Sequence, residues 1–107
     1  MAQGLMEARR LRLQDILEET LGSNHVYFQP PTNLQMQYPA IVYQYDYATA
    51  IFADNEPYSV FDRYQVTLIH DNPDNDILHK IQKLPKASFV RHFKAGNLNH
   101  YILRIYF

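Results

Sequence analysis

The chain has no cysteine and no tryptophan, and only three of its 107 residues are glycine. Without cysteine there is no disulfide framework, no thiolate nucleophile and no cysteine–zinc site. No apolar run approaches the roughly 20 residues of a membrane span. The N-terminus lacks the continuous apolar core of a signal peptide, because Arg9, Arg10 and Arg12 interrupt it. The three glycines stand alone at positions 4, 22 and 96, so no phosphate-cradling loop can form. Acid is missing from the last third: no Asp or Glu follows Asp76.

That last absence exposes an asymmetry that the net charge of −1 conceals. Residues 1–76 set eleven acids against four arginines, a net of −7. Residues 77–107 carry Lys80, Lys83, Lys86, Arg91, Lys94 and Arg104, a net of +6. A domain with one acidic and one basic end can bind copies of itself head to tail, and such contacts close into rings or run on as filaments. The pattern points to an assembly component more than to a catalyst. The near-neutral pI gives no overall attraction to nucleic acid.

Length and composition place the chain as one globular domain over 1–107, with 47% hydrophobic and 20% charged residues. The spacing predicts an amphipathic helix over 4–21. Its stripe is Leu13, Ile16, Leu17, Thr20 and Leu21, with Leu5 or Met6 extending it, and Gly22 stops it. Val26–Phe28 reads as a short strand ended by Pro30-Pro31. Ala40–Tyr47 alternates, with Ile41, Tyr43, Tyr45 and Tyr47 on one face. Residues 48–57 have no period and read as a loop or flap. Tyr58–His70 is the longest alternating run, with Tyr64, Val66 and Leu68 on one face.

Asn72 is a good N-cap with Pro73 at the first helical position, so a second helix is expected from there. Ile77, Leu78, Ile81 and Leu84 form its stripe and Pro85 closes it. Ser88–Lys94 and Asn99–Phe107 read as paired strands joined through Gly96-Asn97. The order α-β-β-β-α-β-β gives an α+β fold, a mainly antiparallel sheet with both helices on one face.

The chemical motifs are weak. A calcium loop starting at Asp71 needs glycine at its sixth position and glutamate at its twelfth, but Asp76 and Gln82 stand there. A helix cap accounts for the same acids. His25, His70, His79, His92 and His100 show no zinc spacing, although His92 and His100 are placed to meet across the last hairpin. No Gly-x-Ser-x-Gly elbow exists. The basic stretch Lys80–Lys94 contains Phe89 and Phe93, as a nucleic-acid surface would, but such surfaces need exposed aromatics. Phe89, Arg91 and Phe93 share strand parity, which turns the phenylalanines toward the core. No catalytic residue, cofactor or metal is therefore expected, nor any membrane or specific nucleic-acid partner.

Several strings taken together resemble a known family: Tyr27-Phe28-Gln29-Pro30-Pro31; Tyr38-Pro39-Ala40-Ile41-Val42-Tyr43; Phe52-Ala53-Asp54-Asn55-Glu56-Pro57-Tyr58; the Tyr64–Asp74 run ending in Asn-Pro-Asp; and Leu98-Asn99-His100-Tyr101. In this order, from Leu11 to Phe107, they resemble the small tail completion or tail terminator proteins of long-tailed bacteriophages and prophages. The resemblance implies a virion protein made in the bacterial host cytoplasm. It implies a ring, typically of six copies, on the head-proximal end of the tail tube, contacting the tail tube protein and the head–tail connector. It carries over no catalytic residue. Another neck or stopper protein is the alternative within virion assembly; a nucleic-acid-binding module and an enzyme without a recognisable motif are the others. The residues themselves nominate an interface: Phe52, Asp54, Asn55 and Glu56 in the 48–57 segment, and Arg91 and Lys94 on the basic strand.

Overall fold

The computed structural model describes residues 4–52 and 59–107. Helix α1 runs Leu5–Leu21 and stops at Gly22, whose φ of +85° is open to glycine without steric cost. The Gly22 N–H closes the last turn on the Glu18 carbonyl at 2.8 Å. Leu13, Leu17 and Leu21, one turn apart, are buried. Burying each is worth about 1.5–3 kcal/mol by area, an upper bound against a compact unfolded chain.

Five strands follow: β1 Val26–Phe28, β2 Ala40–Phe52, β3 Ser59–His70, β4 Ala87–Ala95 and β5 Leu98–Tyr106, with helix α2 Ile77–Gln82 between β3 and β4. They form one sheet in the order β1-β2-β3-β5-β4. Every pairing is antiparallel except β1 with β2, where Val26 opposes Ile41. The α+β class and the element order are those the sequence implies.

The core is one cluster between the sheet and both helices. Ile41 and Tyr43 from β2, Tyr64, Val66 and Leu68 from β3, and Tyr101, Leu103 and Ile105 from β5 meet Leu13, Leu17, Leu21 and Ile81. On the other face, Val42, Gln44, Asp46, Gln65, Thr67, Ile102 and Arg104 stay half-buried or exposed. A sheet with one packed and one open face alternates in this way.

Three expectations are corrected. Residues 48–57 are not loop throughout. β2 continues to Phe52, with Thr49 opposite Asp62 and Phe52 opposite Ser59, after a register shift between Tyr45 and Thr49. The shift breaks the alternation that would have revealed the strand, while backbone pairing carries it on. The second helix begins at Ile77, not Pro73. Asn72 instead closes a local turn, accepting the Asp74 N–H at 3.0 Å, and Asn75 Oδ1 accepts the Ile77 and Leu78 N–H groups. Both asparagines can cap, and the one nearer the apolar stripe does so.

The third correction concerns β4. Phe89 faces Leu103 and Arg91 faces Ile102, so Val90 is an extra residue, a bulge. It places Phe89 on the helix-side face with His92 and Lys94, and puts Arg91 and Phe93 on the open face. Neither phenylalanine enters the core: Phe89 is 43% exposed and Phe93 is half-buried on the far side.

Candidate assembly surface

Among the described residues β4 is an edge strand, with β5 alone beside it. From Ser88 to His92 every residue is exposed. The nominated cations stand here on different faces. Arg91 lies on the open face with its guanidinium over the Phe93 ring, 5.0 Å from the centroid. Lys94 opposes Asn99 and belongs to the helix-side face. Phe93 stacks in turn on His100, centroids 4.8 Å apart and rings 10° from parallel. The row on the open face therefore reads Arg91–Phe93–His100, held by cation–π and ring stacking contacts.

The two hairpin histidines do not meet. His92 stacks on Tyr101 at 4.7 Å on one face while His100 pairs with Phe93 on the other. The turn at Gly96-Asn97 is the cause, since pairing Ala95 with Leu98 sets His92 opposite Tyr101 and Phe93 opposite His100. His92 Nε2 reaches Asn99 Oδ1 at 3.0 Å, and Asn99, itself buried, donates its amide to the His70 carbonyl at 3.3 Å. These contacts account for a buried polar side chain by satisfying it.

Of the nominated 48–57 residues, Phe52 ends β2 opposite Ser59. Asp54, Asn55 and Glu56 lie outside the described residues.

The sheet order turns the sequence asymmetry into a spatial one. Within the sheet, strands β1, β2 and β3 come from the acidic part of the chain and β5 and β4 from the basic part, meeting at the seam between β3 and β5, while α1 of the acidic part also packs against α2 of the basic part. At that seam Asp46 of β2 lies 2.8 Å from Arg63 Nε of β3 and 3.7 Å from Arg104 Nε of β5. A hydrogen bond to Tyr106 and then one to Asp46 raise the Arg63 pKa above its ordinary value. Lys80 and Lys83 on and just after α2 are exposed, as are Lys86 just before β4 and Arg91 and Lys94 along it. Glu7, Asp15 and Glu19 are exposed on α1, which packs against α2 as well as β1 and β2. The turn acids Asp71, Asp74 and Asp76 stand where the chain crosses from one part to the other.

A polar line on α1 escapes sequence reasoning. Gln14 Nε2 donates to the Val26 carbonyl at 2.9 Å and to Glu18 Oε2 at 3.0 Å, and its Oε1 accepts the Tyr43 hydroxyl. Arg10 lies over Phe28, 4.3 Å from the ring centroid. Burial pushes the Tyr43 pKa up, with Arg10 opposing, and burial followed by the Tyr45 hydroxyl raises Tyr64. The available signal was the spacing: Arg10, Gln14 and Glu18 run one turn apart beside the leucine stripe. Gln14 thereby satisfies the Tyr43 hydroxyl beneath α1.

Among the described residues, no group of three or more His, Cys, Asp or Glu side chains is placed to hold a metal ion. None of the described helices is long and apolar enough to cross a membrane. Compared with known proteins, the chain matches no family model and no curated sequence.

Proposed function

We propose that this chain is a virion structural protein, a tail terminator or tail completion protein that forms a ring on the head-proximal end of a phage tail tube. The observation that carries the reading is the sheet order, which sets strands from the acidic part of the chain on one side of the β3–β5 pairing and strands from the basic part on the other, ending in a cationic edge strand. Copies related by rotation would bring a basic side against an acidic side, and a heterologous contact that closes is a ring. The mechanism is geometric. The ring covers the last layer of the tube, removes its polymerising surface and presents a new one to the connector. The neck or stopper role shares this chemistry and differs by position in the particle.

Mass spectrometry of purified virions and images of assembled tails test the proposal. The expected result is a ring of density at the head-proximal tube end and the chain among the virion proteins. Absence from virions would overturn it. A monomer in free solution would not, because such rings can close on the tube as template.

A second reading gains from the exposed Phe89 and the half-buried Phe93. Phe89 with Lys94 on one face of β4, and Phe93 with Arg91 on the other, are aromatic and cationic groups of the kind that bind single-stranded nucleic acid. Against it, the Phe93 ring already stacks on His100 and carries the Arg91 guanidinium. DNA affinity that falls steeply with salt would favour this reading over the ring.

A further inference from the structure

We infer that copies of this chain dock side by side through the two opposite margins of the sheet, with Phe89-Val90 of β4 in one copy against the connection that carries Leu34 and Tyr38 in the next. Among the described residues, the exposed large hydrophobic side chains fall into these two pairs: Phe89 is 43% and Val90 39% exposed, Leu34 40% and Tyr38 43%. β4 ends the sheet at one margin and β1 at the other. Leu34 and Tyr38 belong to the β1 margin. They lie in the connection from β1 to β2, and the Gln37 N–H beside Tyr38 reaches the Tyr27 hydroxyl of β1 at 3.3 Å. A single exposed apolar side chain is ordinary on a protein surface. Two pairs at opposite margins of one sheet are what a head-to-tail contact needs, since every copy then presents both halves of it.

Charge chooses between this contact and the pairing of like margins. Two β4 strands set edge to edge would bring Arg91 and Lys94 against their own copies, which is destabilising, and would leave Leu34 and Tyr38 uncovered. The β1 margin offers the opposite sign. Gln14 joins Glu18 of α1 to the Val26 carbonyl of β1, and Glu19 beside it is exposed. Arg10, on the same flank of α1, is turned onto the Phe28 ring. Copies standing side by side keep helix side next to helix side. Lys94, on the helix-side face of β4, is therefore the cation that meets these carboxylates, whereas Arg91 lies on the open face with its guanidinium over Phe93. The inference deepens the ring reading, on which it rests for a second copy as the partner, by naming the two surfaces that meet.

The chain has no cysteine, so introduced thiols report contacts without background. Gln37 and Ser88 are exposed and stand next to the apolar pairs without belonging to them. Full-length Gln37→Cys and Ser88→Cys chains, distinguished by tag length, are mixed at high concentration and oxidised with copper–phenanthroline. The mixed disulfide should form several-fold faster than either same-site disulfide, and a chain carrying both substitutions should give a ladder of covalent oligomers. Phe89→Ala in the Ser88→Cys chain should keep the folded spectrum and lower the mixed rate to the same-site rate. Lys94→Glu should slow the mixed disulfide by up to about fivefold, the scale of an exposed ion pair, and Arg91→Glu by less. Same-site disulfides as fast as the mixed one, no mixed disulfide, a rate unmoved by Phe89→Ala, or a larger loss with Arg91→Glu than with Lys94→Glu would overturn the docking. Virion images test the ring separately: a ring on the tube without the mixed disulfide removes the docking alone, and the disulfide in a chain absent from virions removes the tail ring alone.

Discussion

Strands β4 and β5 are each nine residues long and hydrogen-bonded to one another, yet they live in different surroundings. Along β5, Asn99, Tyr101, Leu103 and Ile105 are buried in strict alternation; along β4 no residue is buried. Phe89 and Leu103 face each other across the pair, one 43% exposed and the other fully buried. Strand propensity does not separate them, since Phe-Val in β4 is as good a strand former as Ile-Leu in β5. Neighbours do: β5 lies between two strands, while β4 has one. The difference teaches that apolar content on the edge serves something other than this core. The Val90 bulge, Arg91 and Lys94 are also the devices that keep an open edge from pairing with any passing strand.

The largest effect should come from emptying the buried side of the pair. Leu103→Ala should cost about 2–5 kcal/mol in urea unfolding, while Phe89→Ala should cost less than about 1 kcal/mol. Equal costs would break the contrast. On the other flank of β5, Tyr64→Phe conserves volume and should cost under about 1.5 kcal/mol near neutrality. Its sharper signature is alkaline. The Tyr64 and Tyr43 pKa values are raised in the folded state, so their contribution is full below the ordinary tyrosine value of about 10 and declines as pH rises beyond it. Urea midpoints on either side of that pH should fall less in Tyr64→Phe than in the parent. In the turn that joins the two strands, Gly96 has φ +61°, and Gly96→Ala should cost about 1 kcal/mol.

The smallest change in stability, within about 0.5 kcal/mol, is expected for Arg91→Glu and Lys94→Glu, both on exposed positions. Their effect should fall on assembly, measured by ring or tail formation against added salt. Because strand alternation sends the two side chains to opposite faces, the single reversals report which face of the edge meets a partner. Unchanged assembly in both would remove the electrostatic part of the ring proposal.

Periodicity made much of the fold legible. Leu13, Leu17 and Leu21 marked the buried stripe of α1, and Tyr64, Val66 and Leu68 marked the core face of β3, because spacing reports which side chains leave water. Backbone events were not legible. Nothing in Thr49–Phe52 alternates, yet it pairs, and nothing in the composition of Phe89-Val90-Arg91 announces a residue too many. Of the interface candidates, Arg91 and Lys94 were readable as an exposed basic strand and, by parity, as opposite faces of it, but which face each takes was not, because that depends on the Val90 bulge. The apolar pairs at Leu34 and Phe89 were unreadable as opposite margins because strand order is set by pairing, not by position in the chain.

The seam between β3 and β5 has a consequence for how the chain folds. Strands β2 and β3 pair across a short stretch of sequence, and β4 and β5 pair across two residues, so each hairpin can close locally. Joining β3 to β5 brings together distant residues, Arg63 with Tyr106 at one end and His70 with Asn99 at the other, and there the loop-closure entropy falls due. The two hairpins reach that step bearing opposite net charge. Their mutual attraction should hasten zipping in dilute buffer and fade once salt shortens the Debye length below about 8 Å. A charge split suited to holding neighbours in a ring would then also act inside each copy, as a guide that brings its own two hairpins into register.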